Sequence, residues 1–260
     1  MDSVISTDGT PIAYARSGNG PPLVLVHGST ADHTRWANVL PELERAFTVI
    51  AMDRRGRGES GDAETYTLEQ EYDDVAAVVE AAGTGASLLG HSFGALCAME
   101  AALRVGSLRR LVLYEPPFPV GDTPLYPPGL PERLGALLVE GDREKFLTVF
   151  FSEVAGVPDA QIGALRADPS WKGRVAAAHT ALREMADGDY RFDPARFQRL
   201  EVPTLLLLGE NSPEELVAPT RALDAALPDS RIVMLEGQGH VAMTTAPVLF
   251  LREVFGFLSD

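Results

Sequence analysis

Cysteine, basic residues and long apolar runs are all scarce in this sequence of 260 residues. The single cysteine, Cys97, excludes an intrachain disulfide and a cysteine-based zinc site. The 37 acidic and 22 basic residues give a formal charge of −15, which repels phosphate backbones and anionic membranes. Apolar runs such as 205–208 are far too short to span a bilayer, and the N-terminus lacks the pattern of a signal peptide. We therefore expect a cytoplasmic protein with no nucleic-acid or membrane partner.

Short apolar runs alternate with helical patterns along most of the chain. At this length, with 45% hydrophobic and 23% charged residues, the sequence fits one large α/β domain. Asp8-Gly9 is a hairpin signal that predicts two antiparallel opening strands. Predicted strands are 4–6, 12–16, 23–26, 47–52, 86–89, 111–114, 204–208 and 231–235, and predicted helices are 36–45, 67–82, 95–103 and 246–258. This alternation predicts a mostly parallel, doubly wound sheet with flanking helices.

The alternation breaks after residue 115. Seven prolines fall within 116–131, and the stretch to about residue 190 has helical periodicity without a strand-like run. We therefore predict that 1–115 and 191–260 form the α/β core, and that 116–190 is a helical insertion.

Residues 90–94 read GHSFG, a G-x-S-x-G pattern that holds a serine on a sharp turn in some enzymes. The buried strand predicted before it and the helix predicted after it put Ser92 between strand and helix, above the carboxyl end of the sheet. The flanking glycines have a physical reason, because a β-carbon at either place would crowd the turn. Cys97 follows in the apolar helix, where we expect a buried and inert thiol.

The sequence resembles the α/β-hydrolase family over essentially its whole length. The motifs that carry the resemblance occur in the family's order: the opening hairpin, HG at 27–28, DRRGRGES at 53–60, the serine turn at 90–94 and GQGH at 237–240. The family also has a cap inserted after the sixth strand, which coincides with the helical insertion at 116–190. The resemblance implies no metal and no cofactor.

By this resemblance, Ser92 is the nucleophile and His240 is the general base that takes its proton. The oxyanion donors are the backbone N–H groups of Phe93 and Ser29. The Ser29 hydroxyl is either a third donor or a plain turn residue. His91, on the serine turn, and His27, in the oxyanion loop at 27–29, are expected to make structural hydrogen bonds. His27 is also a candidate for the pocket wall.

The acid of the triad departs from the usual pattern. The common position, about three residues past the glycine that ends the seventh strand, is occupied by Ser212. Some relatives place the acid at the end of the sixth strand, where this chain has Glu115, and we predict that Glu115 orients His240. Glu210 is the next candidate, followed by Glu214 and Glu215. Asp53 is interpreted as structural, with its neighbouring arginines as partners.

A serine on the turn argues against relatives that use an aspartate nucleophile, and favours hydrolysis of an ester, lactone or thioester of a hydrophobic small molecule. Candidate pocket residues are His27, Phe118, Tyr126, Phe150 and Trp171. Two alternatives stay open: a cyclase or lyase of small-molecule biosynthesis on the same scaffold, and a non-catalytic ligand receptor. The sequence leaves the natural substrate and the oligomeric state open.

Overall fold

The ends of the sheet's strands carry the candidate site residues. The computed structural model describes residues 1–121, 125–157, 159–186 and 190–259, so residues 122–124, 158 and 187–189 of the predicted insertion lie outside the description. The strands are β1 Asp2–Ile5, β2 Pro11–Gly18, β3 Pro22–Val26, β4 Thr48–Met52, β5 Ala86–His91, β6 Leu108–Tyr114, β7 Thr204–Gly209 and β8 Ser230–Leu235.

These described strands form one eight-stranded sheet in the order β1-β2-β4-β3-β5-β6-β7-β8. β1 pairs antiparallel with β2, as the hairpin signal predicted. β2 also pairs antiparallel with β4. The other pairs are parallel. The carboxyl ends of the parallel strands therefore meet at one edge, and the predicted α/β-hydrolase architecture is confirmed.

Helices flank the sheet and also make up the predicted insertion. They are α1 Leu40–Leu43, α2 Leu68–Ala82, α3 Phe93–Ala102, α4 Leu130–Val139, α5 Arg143–Glu153, α6 Asp159–Ala167, α7 Trp171–Ala176, α8 Ala178–Ala186, α9 Pro194–Phe197, α10 Glu214–Ala226, α11 Ala242–Thr245 and α12 Pro247–Leu258. The predicted start of α2 is confirmed, because Thr67 and Gln70 form a capping box. None of the helices in the described ranges has the length and apolar character needed to cross a membrane.

The helix predicted over 36–45 is wrong. A single 3₁₀ turn, His33–Trp36, is followed by the separate short helix α1. Pro41 is the physical reason, because proline lacks an N–H and its ring clashes with the carbonyl four residues earlier in a continuous helix. It sits instead in the first turn of α1, where that N–H would have no partner anyway.

Alternating strand residues build two cores, one on each face of the sheet. On β3, Val24 and Val26 pack with α2 and α3, whereas Leu23 and Leu25 pack with Trp36 and α12. Cys97 of α3 is fully buried in the first core, and burial raises the pKa of its thiol. The sheet is thus covered on both faces, as a mostly parallel sheet requires.

The insertion has an apolar cluster of its own. Phe146, Phe150 and Trp171, from α5 and α7, pack together with side chains of α4 and α8. Phe118 instead stacks on Phe192, with ring centroids 4.6 Å apart, and joins the core on the α3 side of the sheet. The chain thus leaves and re-enters the core at a shared aromatic contact.

Candidate active site

Ser92 occupies the sharp turn between β5 and α3. Its backbone has φ 57° and ψ −130°, a conformation that costs free energy in any residue with a β-carbon. Its N–H donates to the Tyr114 carbonyl at 2.9 Å. A β-carbon at Gly94 would lie 2.3 Å from the His27 carbonyl oxygen, so only glycine lets α3 approach the end of β3 this closely. The turn lifts the Ser92 side chain out of the buried strand, where it is half-buried beside α3.

His240 and Glu115 meet at the carboxyl edge of the sheet. The ring Nδ1 of His240 hydrogen bonds to Oε2 of Glu115, which follows β6 and is fully buried. The other carboxylate oxygen, Oε1, accepts from the Gly209 N–H at 2.7 Å and from the Ser212 hydroxyl at 2.5 Å. These bonds compensate a charge that burial alone would make costly. The residue at the common acid position, Ser212, is therefore a donor to the carboxylate on the neighbouring strand.

The other acidic candidates point elsewhere. Glu210 accepts from the Gly237 N–H at 2.7 Å, and Glu214 and Glu215 are exposed in the first turn of α10. Asp53 is buried, but its partners are not the neighbouring arginines predicted from the sequence. Its carboxylate accepts from the backbone and ring of His33, at 2.7 and 2.8 Å, and from the Glu59 N–H at 2.9 Å.

The His240 backbone is held from two directions. The Tyr114 hydroxyl donates to the Gly239 carbonyl and accepts from the Ala242 N–H at 3.1 Å. The His91 Nε2–H donates to the His240 carbonyl at 2.7 Å. Burial, with the nearby His240 and Arg35, lowers the pKa of His91 well below its ordinary value, so this ring is a neutral donor. The hydrogen bond of His91 agrees with the structural role predicted for it, whereas Tyr114 was not predicted from the sequence.

The predicted oxyanion donors are the N–H groups of Ser29 and Phe93. Phe93 is the first residue of α3, and the N–H groups of a helix's first turn have no acceptor within the helix. Within the described part of the chain, neither N–H donates to a protein acceptor. Both groups are thus available to an oxygen that develops negative charge beside Ser92.

His27 orients the peptide that carries the Ser29 N–H. Its Nδ1–H donates to the Gly28 carbonyl at 2.8 Å, and its Nε2 accepts from the Arg54 N–H at 3.1 Å. Because the Gly28–Ser29 peptide is planar, fixing its carbonyl also fixes its N–H. Burial and the nearby Arg54 and Arg57 lower the pKa of His27 well below its ordinary value, which keeps the ring neutral. With no exposed surface and both nitrogens bonded, His27 does not line a pocket, and that prediction is wrong.

A buried network of four charged side chains lies beneath the oxyanion loop. Arg54 bonds to Glu71 through Nε at 3.0 Å and Nη2 at 2.7 Å, and its Nη2 also reaches Glu184 Oε1 at 2.6 Å. Arg57 pairs with the same Glu184 oxygen. Glu184 belongs to α8 of the insertion, and this role was not predicted because the partners are about 130 positions apart in the chain.

A cavity of about 650 Å³ lies between the core and the insertion. Its lining includes Phe93 and Leu96 of α3, and also Phe118, Tyr126 and Glu184. Two of the predicted pocket residues, Phe118 and Tyr126, thus reach it.

Phe150 and Trp171 do not line this cavity, and their prediction as pocket residues is not supported. Both rings are almost fully buried in the apolar cluster of the insertion. The reason is their aromatic packing within the insertion, where Phe150 stacks on Phe146 and Trp171 packs against Phe151.

One cluster of metal-type ligands occurs among the described residues: Asp32, His33 and Asp53, with ligand atoms within 4.8 Å of one another. Their atoms are already engaged, since Asp53 binds His33 and an Asp32 oxygen caps the Thr34 N–H at 2.9 Å. The cluster is a hydrogen-bonded anchor for the turn that follows the oxyanion loop.

A mostly parallel eight-stranded sheet, with a serine turn after β5 and a histidine loop after β8, defines the alpha/beta hydrolase class of enzymes. The comparison with known families agrees, because residues 23–253 match the Alpha/beta hydrolase family. This chain belongs to that family and is an enzyme.

Its relatives include hydrolases and esterases. An alpha/beta hydrolase from Sphaerobacter thermophilus DSM 20745 is 41% identical, with a TM-score of 0.82 over 95% of this chain and 98% of that one. The esterase RhEst1 from Rhodococcus sp. ECU1013 is 26% identical, with a TM-score of 0.80 over 100% of this chain and 98% of that one. The pimeloyl-acyl-carrier-protein methyl ester esterase of Neisseria meningitidis serogroup C is 30% identical over 90% of each chain.

Proposed function

We propose that this enzyme is a serine hydrolase that cleaves an ester, lactone or thioester of a hydrophobic small molecule through an acyl-Ser92 intermediate. The observation that carries the proposal is the contact between Glu115 and His240 Nδ1, beside the strained Ser92 turn. This contact keeps the Nδ1 proton in place and leaves Nε2 as the basic nitrogen.

Acylation then follows from the positions of these groups. His240 Nε2 takes the Ser92 hydroxyl proton as Oγ attacks the carbonyl carbon, and the carbonyl oxygen becomes an oxyanion held by the Ser29 and Phe93 N–H groups. The positive end of α3 adds to this stabilisation. When the bond to the leaving group breaks, the proton on Nε2 passes to the leaving oxygen or sulfur.

Deacylation repeats the same steps with water as the nucleophile. His240 takes a proton from water, the hydroxide adds to the acyl carbon, and Ser92 leaves with the proton returned by Nε2. Among the described residues, the Ser92 hydroxyl has no hydrogen-bond partner. A catalytic hydrogen bond of this kind often tightens only when substrate binds.

The substrate class is supported by the cavity next to Phe93. Its walls carry Phe118, Tyr126 and several prolines, which favours an apolar acyl or alcohol group. We propose that 116–190 acts as a cap over the site, and that the partner is a small molecule. The charge of −15 disfavours nucleic acid and anionic membranes. Relatives described as esterases support the same reaction class.

The test is labelling with a reactive aryl phosphonate, followed by intact mass and esterase assays on short aryl esters. We expect one adduct on the parent protein and none on Ser92→Ala, whereas Ser107→Ala, which changes an exposed serine, labels like the parent. Absence of an adduct on the folded parent would reject the acyl-enzyme and favour a cyclase, lyase or receptor.

A further inference from the structure

The oxyanion loop is held in part by the cap. Ser29 provides its hydroxyl to Glu184 of α8 at 2.5 Å, and Thr30 accepts through its carbonyl from Arg174 of α7 at 3.2 Å. Thr30 has φ 58°, an unfavourable conformation for a β-branched residue that persists only when its surroundings hold it. Two consecutive loop residues are thus tied to two different cap helices.

We propose that Glu184 is a positioning residue that couples the cap to the oxyanion hole of the proposed hydrolase site. It holds the Ser29 N–H in its working direction through the Ser29 hydroxyl. The inference rests on the proposed function and adds to it a residue outside the triad.

The second oxyanion residue is in contact with the same network. The Arg54 guanidinium lies over the Phe93 ring, 4.7 Å from its centroid, while its Nη2 binds Glu184. The Arg54 N–H also binds His27, which fixes the Gly28–Ser29 peptide. Arg54 and Glu184 therefore connect the two oxyanion donors through side-chain contacts on one side of the site.

The charges of the network make a carboxylate acceptable at this place. Unpaired, Glu184 would oppose negative charge on a nearby oxyanion. Arg54 and Arg57 both bind its Oε1. The formal charges of the four side chains in the network, which are Arg54, Arg57, Glu71 and Glu184, sum to zero. Glu184 can then serve as a hydrogen-bond acceptor with little net field at the reacting oxygen.

The Ser29 hydroxyl acts on Glu184 and not on substrate. A serine has one O–H proton, and here it is directed at Glu184 Oε2. This contact argues against both possibilities left by the sequence, a third oxyanion donor and a plain turn residue.

A neighbouring cap contact offers a matched control. Arg183, next to Glu184 on α8, binds both oxygens of Asp62 at 2.9 and 2.8 Å and the Arg55 carbonyl at 3.0 Å. This contact also ties α8 to the loop after β4, but it touches neither Ser29 nor Phe93. Arg183→Gln therefore removes one contact between α8 and the core and leaves the side-chain contacts of Glu184 with Ser29 and Arg54 in place.

The experiment compares Ser29→Ala, Ser29→Thr and Arg183→Gln in steady-state ester hydrolysis, with thermal melts of each. Ser29→Ala keeps the backbone N–H, so we expect about a 10-fold fall in kcat with KM unchanged, less than the 10²–10³ lost when an oxyanion donor is removed. Ser29→Thr keeps a hydroxyl and should restore most of kcat. Arg183→Gln should keep kcat within about 2-fold.

A double-mutant cycle separates positioning from direct contact. Ser29→Ala should cost nothing further in a Glu184→Ala background, which keeps no group that can bond the Ser29 hydroxyl, whereas a hydroxyl that touches the oxyanion would cost the same factor in both. If Glu184→Ala fails to fold, the alanine and threonine variants of Ser29 still decide the matter. Unchanged kcat in Ser29→Ala, on a parent that phosphonate labels at Ser92, rejects the positioning role and leaves the hydrolase intact; an unlabelled parent rejects the hydrolase itself.

Discussion

The two sides of the candidate site are supported by different parts of the molecule. On the His240 side, the contacts come from the ends of β5, β6 and β7 and from their loops: His91, Tyr114, Glu115 and Ser212. On the Ser29 side, the contacts come from His27 and Arg54 of the core and from Glu184 of α8. The contacts around His240 thus come from the sheet, while those around Ser29 come from both the core and the predicted insertion.

The kinds of interaction differ as well. The His240 side uses a carboxylate with three hydrogen-bond partners, which needs no cation beside it. The Ser29 side uses a buried ion network, where loss of one partner leaves a charge uncompensated and costs about 3–5 kcal/mol. A cap that moves would therefore disturb the second side and leave the first unchanged.

The largest effect is expected when the Glu115 carboxylate, on the His240 side, is replaced. Glu115→Gln replaces the acceptor at His240 Nδ1 with an amide that can donate, which favours the wrong tautomer, and we expect kcat to fall about 10³–10⁴-fold with KM little changed. Steady-state kinetics on an aryl ester measure this.

Glu210→Gln is the matched control for that change, because Glu210 also follows a parallel strand and binds only the Gly237 N–H among the described residues. It should keep kcat close to that of the parent. An equal loss in both variants would show that Glu115 has no special role.

A smaller effect is expected when only the backbone support of His240 is removed. Tyr114→Phe leaves the Gly239 carbonyl and the Ala242 N–H without their partner. We expect a loss of roughly 1–3 kcal/mol in the free energy of unfolding, because buried polar groups become unsatisfied. Urea unfolding measures this loss. If the His240 loop shifts, kcat should also fall by about 10-fold, which corresponds to about 1.4 kcal/mol in the activation free energy. An unchanged unfolding midpoint would mean that the tyrosine is dispensable for this side.

The last expected effect is on stability alone, and it is a pH dependence that both sides share. His27 and His91 have pKa values well below the ordinary 6.5, mainly because of burial, so below that pH the unfolded chain takes up protons that the folded chain does not. Stability is therefore complete above about pH 6.5 and falls as the pH drops toward the folded pKa values. Each histidine contributes up to about 1.4 kcal/mol per pH unit.

His91→Gln keeps a donor for the His240 carbonyl but removes one titrating group. Urea unfolding between pH 5 and 6.5 should show a slope smaller by up to that amount. His33→Gln is the contrast, because the hydrogen bond to Asp53 raises the pKa of His33, and its stabilisation is lost only as the pH rises above about 6.5. A slope for His91→Gln equal to that of the parent would show that His91 is not the neutral, buried ring described above.

Local signals in the sequence predicted the fold and the positions of Ser92, Glu115 and His240 at strand ends, but not the supporting contacts of Tyr114 and Ser212. The G-x-S-x-G turn, the glycine-rich loop after β8 and the acidic residue after β6 each follow a strand, and parallel strands bring their carboxyl ends to one edge. Glu115 was predicted from its position after β6 together with the family resemblance, and its contact with His240 agrees with that prediction. Its role as the catalytic acid stays a prediction until the glutamine variant is measured.

The Ser29 side could not be predicted in the same way. Its key contact joins residues 155 positions apart, and Glu184 sits in a helical pattern where a charged residue usually faces solvent. The arginines after β4 were expected to pair with the adjacent Asp53, but they pair with residues of α2 and the cap, because long guanidinium side chains reach past their neighbours. Such pairings depend on tertiary packing that no local pattern encodes.

The one cysteine gives this chain a built-in reporter. Cys97 lies on α3, one helical turn beyond the oxyanion residue Phe93, and its thiol is fully buried. A small disulfide reagent can therefore modify it only when α3 separates from the sheet, and the stoichiometry can never exceed one. The rate of that exchange in native buffer would report how often α3 opens. No label would have to be introduced.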